Sequence, residues 1–209
     1  MNQQHGNPRV RVLHASPGAP VMDVYVDGSP TFPFISFGQI SEYTELPAGV
    51  HTVQLFPAGI MGEGIPLVAM DIGFGAGMDY TVAAAGRPED MALMVVVDSS
   101  DFPGPERARV RLLHASPDAP ALDLVIPRRT VLAQNVSFEQ VSPWQDTLAG
   151  MTNLEVRRSG SEDALVTIPN YTMAGDTLYT FAALGLIEGA PGFMIMPLAE
   201  TVTMRLPSW

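Results

Sequence analysis

Apolar residues along the chain recur in short runs with a period of two. In the first run Val10, Val12 and His14 share one face while Arg9, Arg11 and Leu13 share the other. In the next, Met22, Val24 and Val26 point inward and Asp23, Tyr25 and Asp27 outward. Runs of this kind, each bounded by glycine, proline or asparagine-type turns, predict strands near 10–15, 22–27, 42–46, 51–56, 66–72, 79–85 and 92–98. About seven short strands in about one hundred residues is the pattern of a β-sandwich. Ala48-Gly49 and Ala76-Gly77 suit turns that require a positive φ, and Tyr80 and Tyr179 are placed as tyrosine corners, with the hydroxyl bonded back to the preceding turn.

The pattern then repeats. Arg9-Val-Arg-Val-Leu-His14-Ala-Ser16-Pro17-Gly-Ala-Pro20 returns as Arg109-Val-Arg-Leu-Leu-His114-Ala-Ser116-Pro117-Asp-Ala-Pro120. Ser36-Phe-Gly-Gln matches Ser137-Phe-Glu-Gln, and Leu93-Met-Val-Val matches Phe193-Met-Ile-Met. A short Pro-Gly-Pro connection at 103–105 separates the copies. The expected architecture is therefore all-β: two tandem immunoglobulin-like antiparallel β-sandwich domains, 1–104 and 105–209. The second gains an extra strand at 201–209, where Val202, Met204 and Leu206 alternate with polar positions before Trp209.

The conspicuous signature is His-Ala-Ser-Pro-x-Ala-Pro-x-x-Asp, ending at Asp23 and Asp123. Its prolines hold the segment extended. If the flanking strands pair, Arg11–Asp23 and Arg111–Asp123 become cross-strand ion pairs. A catalytic or metal-binding reading of His14 and Asp23 lacks a nucleophile or third ligand at matching positions of both copies, and Ser16 is held in a Ser-Pro turn. Both copies are equally intact, as a folding determinant would be. No catalytic, cofactor or metal residue is assigned.

Composition narrows the functional classes. The net charge of −11 and pI near 4.6 disfavour nucleic acid and membrane insertion. All eleven basic residues are arginine, and the absence of Lys and Cys removes Schiff-base chemistry, disulfides and thiolate sites. No run approaches the length of a membrane span, and Met1–His5 lacks the basic and apolar regions of a secretory signal. Asp98-Ser-Ser-Asp101 has the look of half a calcium loop but lacks its glycine and glutamate.

Other stretches suggest contacts. Thr31–Ile35, with Phe32 and Phe34, reads as a greasy segment between strands, covering the core or offering a patch. Arg128-Arg129 and Arg157-Arg158 lie only in the second half, which carries eight Arg against eleven acids, while the first carries three against eleven. This asymmetry suits head-to-tail contacts between chains.

The paired HASP-x-AP-x-x-D motifs, with the Phe-Gly/Glu-Gln, Leu-x-Ala-Gly and Ala-Gly-x-x-Tyr-Thr echoes, resemble the bacterial domain-of-unknown-function family 4397 over nearly the whole chain. The resemblance implies a tandem Ig-like sandwich, typical of exported or cell-surface proteins, with no established enzymatic activity and no functional residues to transfer. The expectation is a non-catalytic structural or interaction protein at the cell surface. It would be an appendage or coat subunit that self-assembles by sheet-edge and end-to-end contacts, with itself or another surface component as partner. The alternative is an extracellular glycan- or ligand-binding module using Phe32, Phe34 or Trp144.

Overall fold

The computed structural model describes residues 6–201, in two compact units, 1–98 and 99–209. The expected terminal strand, with Val202, Met204, Leu206 and Trp209, lies outside the described residues apart from Thr201. The break falls after Asp98, because the segment that follows is tied to the second unit. The Gly104 carbonyl accepts the amides of Arg107 and Asp176 at 3.1 and 2.8 Å, and Asp101 pairs with Arg109.

In the first unit β1 (Arg9–His14), β4 (Thr44–Glu45), β7 (Asp79–Ala85) and β8 (Ala92–Asp98) form one sheet, ordered β4-β1-β7-β8. The other is β3-β2-β5-β6, from β2 (Met22–Val26), β3 (Ser29–Ile35), β5 (Gly49–Pro57) and β6 (Val68–Phe74). Val10, Val12, Tyr80 and Val82 from the first sheet meet Met22, Val24, Leu55 and Phe74 from the second in one buried cluster. This is a sandwich core, filled by alternate residues of each strand. β1 runs parallel to β7, with Arg9 opposite Asp79 and His14 opposite Ala84, while the remaining pairings of the unit are antiparallel. A parallel pair needs a long connection, and here the whole second sheet supplies it.

The second unit repeats this plan. β9 (Arg107–His114) lies between the short β12 (Gln140–Val141) and β13 (Gln145–Leu148) on one side and β16 (Thr177–Leu184), its parallel partner, on the other. β17 (Met194–Thr201) completes that sheet. Its companion is β11-β10-β14-β15, from β10 (Leu122–Ile126), β11 (Thr130–Val136), β14 (Gly150–Arg158) and β15 (Ala164–Met173).

Two expectations change. The stretch around Thr31–Ile35 is not a loop but part of β3. Pro30 and Pro33 fit there because β3 is an edge strand, where a missing N–H on the outer side breaks no ladder. Phe32 enters the core at 4% exposure, and Phe34 faces solvent at 66%. The ion pairs Arg11–Asp23 and Arg111–Asp123 also do not form, because β1 and β2, like β9 and β10, belong to different sheets.

Candidate functional site

His14 ends β1 on the core side, and the Ser-Pro-x-Ala-Pro run after it carries the chain to the opposite sheet. The ring is fully buried with Nε2 3.0 Å from the Pro20 carbonyl. A carbonyl only accepts, so Nε2 bears the proton and Nδ1 is the free acceptor. Burial pulls the pKa below its ordinary 6.5, only partly offset by the Pro20 carbonyl, and the ring is neutral. His114 repeats this with Pro120 at 3.0 Å, and its Nδ1 accepts the Ser116 amide at 3.4 Å. Phe37 and Phe138 close edge-on against the two rings.

Ser16 is spent in the same way. Its hydroxyl donates to the Gly86 carbonyl at 2.6 Å, as Ser116 does to Gly185 at 2.7 Å. Both glycines are left-handed, and a Cβ would meet a backbone carbonyl oxygen at 2.5 Å and 2.2 Å respectively. Pro17 is buried beside them, while Pro20 and Pro120 are exposed and Pro117 half-buried. Asp118, where the first copy has Gly18, adds a clamp by accepting the amides of Ile187 and Glu188 at 2.8 and 3.0 Å.

Asp23 closes the motif from β2. One carboxylate oxygen accepts the Phe34 amide at 2.8 Å and the other the Gly59 amide at 2.9 Å. Asp123 accepts the amides of Asn135 and Gly160 at 2.7 and 3.4 Å. The carboxylate thus pins the bulge of the edge strand to the hairpin beyond β5 or β14.

The arginines expected to meet these aspartates turn to their own sheet. Arg11, 7% exposed, donates from Nε to Thr81 at 2.9 Å, lies 3.7 Å from Asp98 and stacks over Tyr43. Thr81 and Tyr43 both donate to Asp98 at 2.7 Å, which takes that carboxylate out of any calcium loop. Arg111 likewise bonds Thr180 at 2.8 Å and stacks over Trp144 at 4.2 Å. Among the described residues no group of three or more His, Asp or Glu is placed to hold a metal ion.

The remaining candidates lie on the surface. Arg128 and Arg129 form the exposed β10–β11 turn, and Arg158 ends β14 exposed. Arg157 bridges Glu155 at 2.7 Å and Glu162 at 2.5 Å. The sequence reading missed the loop after β5, where Ile60, Met61 and Ile65 are 39%, 82% and 91% exposed. It also missed a cleft of about 340 Å³ in the second unit, lined by Ile126, Arg129, Leu148, Met151 and Thr152. Both were signalled by differences between the copies rather than by their shared motif: Gly49-Val-His51 against Gly150-Met-Thr152, and an apolar 58–67 against a polar 159–163.

The family model described as Domain of unknown function (DUF4397) matches this chain over residues 8–125 and again over 114–204. No curated protein matches it.

Proposed function

The chain belongs to the DUF4397 family, and from that premise we propose a non-catalytic structural protein, a cell-surface, appendage or coat subunit that assembles with copies of itself through sheet edges and end-to-end contacts. One observation carries the reading. In both copies the histidine Nε2, the serine hydroxyl and the aspartate carboxylate of the motif bond backbone groups of their own unit, with His14 Nδ1 left unpaired inside the fold. The repeated signature thereby serves chiefly to hold the fold, and the differing surfaces are left to do the work. Edge strands add to this. β15 pairs only with β14 within its sheet and carries no charged residue in its ten positions, a composition that leaves an edge receptive to another strand. Pro169 and the left-handed Asn170 interrupt it, which favours limited pairing over indiscriminate stacking.

Sedimentation velocity over a concentration series, with negative-stain microscopy of the same samples, tests the reading. Concentration-dependent oligomers or filaments support it, and monomers at every concentration overturn it. Immunolabelling of intact cells tests the surface location.

A second reading, a glycan-binding module, draws on a shallow groove of about 310 Å³ in which Trp144 lies beside Gln134 and Gln145. Phe32 is withdrawn from this reading by its burial. A glycan array compared between the intact protein and Trp144→Ala tests it.

A further inference from the structure

The two units share a scaffold but differ at two matching places, and the differences are complementary. After β5, residues 58–67 read Ala-Gly-Ile-Met-Gly-Glu-Gly-Ile-Pro-Leu, an apolar loop with one carboxylate, Glu63. Gly62 lies against the ring of Tyr25, so the loop folds over the outer face of β2, and Met61 and Ile65 are directed to solvent. Met61 is left-handed at φ 53, a conformation that costs a bulky side chain about 1–2 kcal/mol. Exposure and backbone strain are both unfavourable at Met61. The second unit turns the same corner with Ser159-Gly-Ser-Glu-Asp163, free of large apolar residues.

The second difference lies at the start of β5 and β14. His51 bridges the Asp27 carboxylate at 2.6 Å and the Pro47 carbonyl at 2.8 Å, filling the space between the β2–β3 turn and β5. Thr152 occupies the matching position and is too short to do so. The space remains as the 340 Å³ cleft, with Leu148 and Met151 at 63% and 70% exposure and Arg129 at its rim. Arg129 and Glu63 are both exposed and form no ion pair among the described residues.

Resting on the assembly reading above, we infer that the apolar loop at 60–65 of one copy docks into the cleft beside Met151 of a second copy, with Glu63 meeting Arg129. The apolar side chains of the loop meet Ile126, Leu148 and Met151 in a cleft of mixed polarity, and the loop's single carboxylate faces the guanidinium of Arg129. Each chain carries one plug and one socket on different units. The first unit's socket is filled by His51, and the second unit's hairpin is no plug. Such a contact is heterologous and propagates unless its rotation closes.

The test is a charge swap on the full chain, read by sedimentation velocity and negative-stain microscopy, with thermal melts to verify folding. Glu63→Arg and Arg129→Glu should each weaken association about tenfold or more, because each reversal sets two like charges against one another. The double variant should restore it. If either charge variant loses its fold, Met61→Asp takes its place, with the same weakening expected. Wild-type association with single variants that associate equally well overturns this joint and leaves self-assembly standing. Monomeric wild-type protein overturns both.

Discussion

Asp23 holds Phe34 by its backbone rather than by its ring: the carboxylate accepts the Phe34 amide at 2.8 Å in a bulge whose φ is 54. The same oxygen pair reaches Gly59, so one side chain fixes the edge strand and the neighbouring hairpin together. Asp123 does the same for Asn135, at φ 52, and Gly160. Its recurrence marks it as part of the folding plan of the domain.

Asp23→Ala therefore leaves two amides without their acceptor. A cost of about 2–4 kcal/mol is expected, from about 1–3 kcal/mol for each group left unsatisfied, less what water recovers at this partly covered position. Urea denaturation of wild type and variant measures it. A loss below about 0.5 kcal/mol would contradict the pinning role.

Phe34→Asn should stabilise the protein by about 1 kcal/mol. Asparagine tolerates the left-handed region far better than phenylalanine, and the second copy uses it at the equivalent position. Phe34 is 66% exposed, so little packing is lost. The readout is an upward shift of the thermal midpoint.

His14 and His114 are held below 6.5 by burial, so each is neutral in the fold and takes up a proton more readily when unfolded. Their stabilising contribution is complete above pH 6.5 and is lost as pH falls from there toward their folded values. The slope of the thermal midpoint against pH on the acid side should flatten in the double variant His14→Gln, His114→Gln, even though its overall stability is lower. An unchanged slope would refute this assignment.

His51 has the opposite sign. The Pro47 carbonyl, and after it the Asp27 carboxylate, raise it above 6.5, so its contribution is full below pH 6.5 and fades as pH rises through the folded value. Asp27 is lowered below 3.8, first by the Thr52 amide and then by His51, and its contribution is lost as pH falls through its folded value. The pair is most effective between about pH 3.8 and 6.5. The stability difference between wild type and His51→Thr should be largest in that window and shrink above it, as thermal melts across pH will show.

Asp98→Ala strips a buried partner from Arg11, leaving a charge that is only 7% exposed. Breaking such a pair from one side costs about 3–5 kcal/mol, whereas Asp98→Asn, which still accepts from Thr81 and Tyr43, should cost less. Urea titration ranks the two.

Much of this was legible in the chain. The period-two pattern placed Val10, Val12, Met22, Val24 and Val26 in the core, where they are. The tyrosine corners are present: the hydroxyls of Tyr80 and Tyr179 accept the amides of Gly75 and Ala174 at 2.9 and 2.8 Å. Of the candidate site, the burial of His14 followed from its place on the apolar face at a strand end, whereas the buried hydroxyl of Ser16, the loop at 60–65 and the cleft beside Met151 did not emerge from any single motif.

The sequence by itself determined the all-β class, the duplication and which residues of β1 and β2 enter the sandwich core, because alternation along a strand is local; it did not determine exposure, since Leu13, Arg11, Asp23 and Tyr25 on the opposite faces are buried as well. Only the tertiary structure decided which strands are neighbours. β1 and β2, separated by a few residues, lie in different sheets, while β1 pairs with β7, some seventy residues away. That choice sends Arg11 to Thr81 and Asp98 and leaves Asp23 to the backbone. It also makes β3 an edge strand that accepts proline, and it sets His51 or Thr152 against the turn whose gap is filled in one unit and open in the other. Strand partners are chosen by packing of the two sheets over the whole domain, a quantity that no window of the sequence contains.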